Sequence, residues 1–286
     1  MKAVKIIECP RDAMQGWKTM IPTDTKIKYI NSLLKVGFHT IDFGSFVSPK
    51  AIPQMADTTA VLKGIDSTLL SSNQLLAIVA NERGAFDAVQ YDEISFLGFP
   101  FSVSETFQQR NTNSSIKESY HRLEAIQQLC VKHHKRLVVY LSMGFGNPYG
   151  DPWNEEVVFQ YAHQIAAMGV EILSLADTVG LATPQQVEQM TRFLITELPS
   201  TEIGVHLHST AQNRLQKLEA AVKAGCTRFD GALKGIGGCP MAKDELVGNM
   251  DSEWMISFFE EKNLLSGINR DALQQSLILA ASIFNT

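Results

Sequence analysis

Ile203-Gly204-Val205-His206-Leu207-His208 reads as a short apolar strand, followed by a helical pattern over Asn213–Ala224 and a second apolar run over Arg228–Leu233. That is one β–α–β unit, and Gly225 sits just past the helix, where a left-handed residue often ends the last turn. Working outward, the same alternation recurs along the chain. Strand-like runs fall at Val4–Cys9, Thr40–Gly44, Leu75–Ala80, Glu93–Leu97, Arg136–Ser142 and Ile172–Ala176. Helical patterns lie between them, at Thr25–Val36, Ser48–Lys63, Arg83–Gln90, Ile116–His133, Glu155–Met168 and Pro184–Glu197. Alternating strands and helices imply a parallel sheet with helical crossovers. Eight such units in about 250 residues predict an α/β protein, a closed (β/α)8 TIM barrel. A doubly wound open sheet would carry a glycine-rich fingerprint after its first strand, and Pro10-Arg11-Asp12-Ala13-Met14-Gln15 is not one.

Several boundaries carry their own chemistry. Thr23 or Asp24 is expected to cap the first helix, and Thr183-Pro184 is a cap followed by proline at the first helical position. Gly37 and Gly169 follow helices as Gly225 does. Two extra C-terminal helices, near Ser252–Glu261 and Arg270–Phe284, could cover the barrel or pair with another subunit in a homodimer. No composition break divides the chain, so residues 1–286 read as a single catalytic domain.

The 286 residues are 45% hydrophobic and 19% charged, with a formal net charge of −5. A globular core is expected rather than disorder. The acidic balance and the lack of any basic run exclude nucleic acid or an anionic membrane as the main partner, but not a small anionic substrate. Four widely spaced cysteines (Cys9, Cys130, Cys226 and Cys239) form no CxxC and suggest no disulfide framework, which fits a reducing, cytoplasmic compartment. A strand beginning almost at the N-terminus leaves no room for a signal peptide.

In a (β/α)8 barrel the active site lies at the C-terminal ends of the strands. There this chain places Arg11 and Asp12 after the first strand, Asp42 and Ser45 at the second, and Tyr140 and Ser142 at the fifth. Asp177 and Thr178 follow the sixth, His206 and His208 end the seventh, and Lys234 opens the glycine-rich turn Gly235-Ile236-Gly237-Gly238-Cys239-Pro240 after the eighth. Residues two apart in a strand share a face, so the two imidazoles project together. Asp12, His206 and His208 could form a two-histidine, one-carboxylate metal site, suited by ligand type to Fe(II), Zn, Mn or Mg. Arg11 would stand as a fixed positive charge beside a developing enolate or carboxylate oxygen. Asp42 could orient Arg11 or move a proton. Cys239, in a loop with three glycines, could be carried over the site. The other three cysteines read as core, and His39, His121, His133, His134 and His163 as structural or solvated.

At these residues the chain resembles the hydroxymethylglutaryl-CoA lyase family, part of a wider group of metal-dependent TIM-barrel lyases and condensing enzymes. Four stretches carry the resemblance: Pro10-Arg11-Asp12 with Gln15; Ser45-Phe46-Val47-Ser48-Pro49-Lys50 with Pro53-Gln54-Met55; Val205-His206-Leu207-His208; and Gly235-Ile236-Gly237-Gly238-Cys239-Pro240. Asp177-Thr178-Val179-Gly180 adds a fifth, and the likeness extends to Gly248-Asn249. It implies Asp12, His206, His208 and Asn249 as the residues at a divalent metal, usually Mg2+ or Mn2+. It implies Arg11 as the arginine that stabilises the enolate, and Cys239 as the mobile-loop cysteine of proton transfer. His206 or Asp12 is then the candidate base, and Gln15, Ser45, Ser142, Asp177 and Thr178 the candidate substrate contacts. The implied reaction is retro-Claisen cleavage of 3-hydroxy-3-methylglutaryl-CoA, an acyl-CoA, into acetyl-CoA and acetoacetate. The competing expectations are a condensing synthase of the homocitrate or isopropylmalate type and a non-catalytic acyl-CoA-binding barrel. The chain departs from the family pattern in carrying Asp42 for glutamate, Ala13 for glycine, Ser209 for aspartate, and a loop after Cys239 one residue longer.

Overall fold

A computed structural model describes residues 3–71, 73–238 and 247–285. Eight parallel strands close on themselves in sequence order. They are β1 (Lys5–Glu8), β2 (Thr40–Ser45), β3 (Gln74–Ile78), β4 (Ile94–Ser102), β5 (Arg136–Ser142), β6 (Ile172–Ala176), β7 (Glu202–His206) and β8 (Arg228–Gly231). The seam is the β1–β8 ladder, which pairs Lys5 with Arg228 and Glu8 with Gly231. The predicted TIM barrel is therefore what the chain forms.

Alternation along the strands separates two layers. Leu76, Ile78, Phe96, Val138, Tyr140 and Ile172 pack with one another as a cluster that fills the barrel. Their neighbours Leu75, Ala77, Leu97, Val139 and Leu173 belong to the larger core between sheet and helices. Gly204 makes room inside the barrel for buried Arg228, whose Cδ lies 3.0 Å from where a Cβ on residue 204 would sit.

The helices are α1 (Pro10–Gln15), α2 (Thr23–Leu33), α3 (Thr58–Lys63), α4 (Glu82–Ala88), α5 (Glu105–Thr112), α6 (Ile116–Lys132), α7 (Glu155–Ala167), α8 (Pro184–Glu197), α9 (Arg214–Ala224), α10 (Ser252–Glu261) and α11 (Arg270–Phe284). Thr183 caps α8 in a full capping box with Gln186, as expected. Gly37, Gly169 and Gly225 all have positive φ, so their placement after helices is a backbone requirement.

Four expectations are corrected. α2 has no side-chain cap; Thr23 is its first helical residue and gives its hydroxyl to Asp57 instead. The helix expected over Ser48–Lys63 is only α3, preceded by a single 3-10 turn at Pro53–Met55. Pro49 and Pro53 lack the amide hydrogens an α-helix would need there. β4 runs through Gly98 and Pro100 to Ser102, five residues past the expected end at Leu97. Helices α1 and α5 were not foreseen. Residues 10–15 carry no apolar periodicity, and α5 is too polar to show an apolar stripe.

α11 packs across α2, with Phe284 edge-on to Trp17 and Tyr29. α10 lays Phe259 against Phe229 of β8. These C-terminal helices thus cover the barrel wall near its seam. No described helix is long and apolar enough to cross a membrane.

Candidate active site

The C-terminal mouth of the barrel opens into a cleft of about 840 Å3. Arg11, Asp12, Gln15, Ser142, Thr178, His206 and His208 form its polar part, and Val47, Ile52, Ile78, Pro100, Phe107 and Tyr140 its apolar wall.

α1 explains how adjacent residues Arg11 and Asp12 both serve one site. Pro10 presets the first helical φ, and one helical turn then gathers Arg11, Asp12 and Gln15. Arg11 Nη1 donates to Asp12 Oδ1 at 3.1 Å and to Gln15 Oε1 at 2.9 Å, and Gln15 Nε2 donates to Asp12 Oδ1 at 2.8 Å. From behind, Asp42 grips the same guanidinium, with Nη2 at 2.5 Å and Nε at 3.0 Å from Oδ2. Asp42 is wholly buried and does not line the cleft. Burial pushes its carboxyl up to about 6, although Arg11 pulls the other way. Burial also opposes ionisation of Asp12, but Arg11, His206 and the Asn249 amide outweigh it and hold Asp12 below its ordinary value.

β7 ends at His206, and His208 lies two residues beyond it rather than inside the strand, as had been expected. An antiparallel bridge to Asn249 holds His208 in place: Ser209 N donates to Gly248 O at 3.0 Å and Met250 N to Leu207 O at 3.0 Å. The two imidazole rings stand 5.4 Å apart. One ligand atom each from Asp12, His206 and His208 falls within 4.8 Å of the others. Asn249 Nδ2 donates to Asp12 Oδ2 at 2.7 Å and to Ile236 O at 2.9 Å. Its Oδ1 is buried and has no hydrogen-bond partner among the described residues.

These residues fit a divalent cation. A buried acceptor left unpaired costs about 1–3 kcal/mol, and a cation would satisfy it. Carboxylate, amide-oxygen and imidazole donors together suit a divalent cation. Burial pushes the His208 imidazole down to about 3, with the nearby His206 and Lys217 adding to the shift, so it is neutral and can ligate.

Sequence reasoning missed two residues. Asp230 of β8 lies beneath His206, with Oδ2 at 3.3 Å from Nδ1. Burial would lower the His206 pKa, but the Asp230 bond and charge, joined by the Asp12 charge, raise it. Lys217 of α9 is buried against Asp177 at 2.6 Å. Neither stood out locally, because β8 also carries Arg228 and α9 also carries Arg214, Glu219 and Lys223.

Not every expected contact reaches the cleft. Asp177 is tied to Lys217 and to Ala182 N and does not line it. Ser45 faces an adjoining cleft with Phe46, Ser48 and Arg83, and its hydroxyl accepts from Val47 N. Cys239 lies outside the described residues. Gly237 lies so close to the site that a Cβ there would meet Asn249 Nδ2 at 2.4 Å.

Fold and site together define a (β/α)8-barrel protein whose mouth carries a two-histidine, one-carboxylate centre beside a fixed arginine. The HMGL-like family model matches residues 3–278, and the chain belongs to that family. It is 34% identical over 278 residues to the mitochondrial hydroxymethylglutaryl-CoA lyase of Mus musculus, covering 96% of this chain and 84% of that protein. The solved Bacillus subtilis HMG-CoA lyase superposes with a TM-score of 0.93 at 32% identity, over 100% of this chain and 95% of that one. The A. baumannii HMG-CoA lyase, solved with coenzyme A and 3-methylmalate, gives a TM-score of 0.91 at 31% identity, over 99% and 92%.

Proposed function

We propose that this chain is a divalent-metal-dependent carbon–carbon lyase. Its substrate is 3-hydroxy-3-methylglutaryl-CoA or a close 3-hydroxyacyl-CoA, and its products are acetyl-CoA and acetoacetate. The observation that carries the reading is the convergence of Asp12, His206 and His208 beside Arg11 in one cleft. The relatives named as lyases of this substrate, and the coenzyme A bound by one of them, support it. The free thiols of Cys9, Cys130 and Cys226 accord with a reducing, cytoplasmic setting.

Asp12, His206 and His208, with Asn249, would hold the cation, Mg2+ or Mn2+. Bound there, it supplies Lewis acidity that makes a substrate hydroxyl easier to deprotonate. Asp12 takes the C3 hydroxyl proton on the carboxylate oxygen the cation does not use, while His206, with Nδ1 on Asp230 and Nε2 toward the cation, has no lone pair left for it. The hydroxyl oxygen becomes the ketone of acetoacetate as the bond from C3 to the thioester α-carbon breaks. The bonding pair moves onto the thioester oxygen as an enolate. Arg11 faces that charge, preorganised by Asp42, Asp12 and Gln15, so little reorganisation is needed as it develops. Asp42 acts by orienting Arg11, since it does not line the cleft. Cys239 returns a proton to the enolate carbon, which balances the one removed from the hydroxyl. The apolar wall limits competing water.

The test is acetyl-CoA formation from hydroxymethylglutaryl-CoA with Mg2+ or Mn2+. Turnover should vanish with chelator and in His208→Ala, and fall sharply in Cys239→Ala. Undiminished turnover in chelator, or product only from acetyl-CoA plus a 2-oxo acid, would overturn the assignment.

A further inference from the structure

We propose that Lys217 is a positioning residue for the metal centre, acting through the backbone of His208. The proposal rests on the reading of Asp12, His206 and His208 as ligands.

Lys217 lies on the inward face of α9, among Leu218, Ala220, Ala221 and Ala224, and is 1% exposed. Burying an ammonium group costs several kcal/mol unless its donors are met. Lys217 has three, and each finds an acceptor: Asp177 Oδ2 at 2.6 Å, His208 O at 2.8 Å and Gly180 O at 3.2 Å. The acceptors belong to two different loops, those after β6 and β7.

The connection matters because the β7 ladder stops at His206, where it pairs with Ala176 and Asp230. Beyond that point one flank of the His208 backbone is held by Gly248–Met250, and its carbonyl is held by Lys217. Asp177 is anchored in turn: its amide donates to His206 O at 2.9 Å, and its Oδ1 accepts from Ala182 N at 3.0 Å. Gly180 packs against Val247, and a Cβ there would meet the Val247 side chain at 2.9 Å. Val247 leads directly into the segment bearing Asn249. Lys217 therefore joins the loop that carries His208 to the turn that supports the Asn249 segment. The direction of the imidazole follows from where that backbone is held. Supporting groups of this kind typically govern 10–100-fold in metal affinity.

Mn2+ binding, followed by EPR, tests the proposal without substrate. The variants are Lys217→Met and the double variant Lys217→Met/Asp177→Asn, which leaves no unpaired buried carboxylate behind. Melting in chelator reports folding separately. Both variants should bind Mn2+ about 10–100-fold more weakly than wild type, and the double variant should melt within a few degrees of it. Added Mn2+ should restore much of the lost kcat. Wild-type affinity in the folded double variant would overturn the role of Lys217, leaving it a packing contact whatever the change in melting. A wild-type protein that binds no Mn2+ would overturn the ligand assignment itself, and the two failures are told apart by which protein shows them.

Discussion

At the scale of single residues, the site is a set of side chains each held by another. Asp42 grips Arg11, Asn249 donates to Asp12, and Asp230 sits at His206 Nδ1. The last contact fixes which ring nitrogen faces the cleft, because a carboxylate at Nδ1 keeps the proton there and leaves Nε2 to ligate. Asp230→Asn preserves shape but removes the charge. It should lower kcat about 10–100-fold and weaken Mn2+ binding, with Tm nearly unchanged; steady-state kinetics and EPR titration measure both. An unchanged kcat would reduce Asp230 to a core polar group. Asp12, His206, His208 and Arg11 were legible in the sequence, because their spacing and their places at strand ends reveal them. Asp230 and Lys217 were not. Each acts through a partner far away in the chain, and no local spacing records that partnership.

At the scale of elements, the glycine-rich turn after β8 earns its composition at one position above all. Gly237 has φ +107, and a Cβ there would sit 2.4 Å from Asn249 Nδ2 and 3.1 Å from Asp12 Oδ2. The backbone passes so close to Asn249 and Asp12 that no side chain fits between. Gly237→Ala should push Asn249 off Asp12 and weaken Mn2+ binding by about tenfold or more, while far-UV CD stays that of the wild type. Wild-type Mn2+ affinity in that variant would show that the turn yields easily. The turn was legible as a turn, but its closeness to Asp12 and Asn249 was not, since that depends on the antiparallel bridge between His208 and Asn249. The same distinction applies to the failed helix over Ser48–Lys63. Apolar residues there suggested a period, while Pro49 and Pro53 set the actual backbone and leave Val47 and Ile52 free to line the cleft.

At the scale of the whole molecule, the barrel was legible because its period is carried by eight separate repeats. A misplaced strand end such as that of β4 leaves the count unchanged. A further tie at the seam was less visible, because one buried acid makes it. Glu8 ends β1 at the seam, where it accepts from Leu233 N at 2.9 Å and from Ser252 Oγ at 2.5 Å, joining β1 to the start of the turn and to α10. Burial raises its pKa from 4.5 to about 8; the two hydrogen bonds oppose the shift, and Glu253 and Asp251 add to it. The folded protein thus holds a proton that the unfolded chain gives up near pH 4.5. Stability must fall as pH climbs from about 4.5 to about 8, and it levels off above that. Glu253, raised to about 7, and Asp42, raised to about 6, act in the same sense. Glu8→Gln can accept from Leu233 N and donate to Ser252 Oγ, and it has no proton to lose. Its Tm should fall less between pH 5 and pH 9 than that of wild type, with a gain at pH 9 on the order of 3 kcal/mol, or about 5–10 °C. Melting curves taken across that range in chelator would decide it. Parallel curves for the two proteins would mean that Glu8 is ionised throughout, and that the seam holds a buried charge rather than a protonated acid.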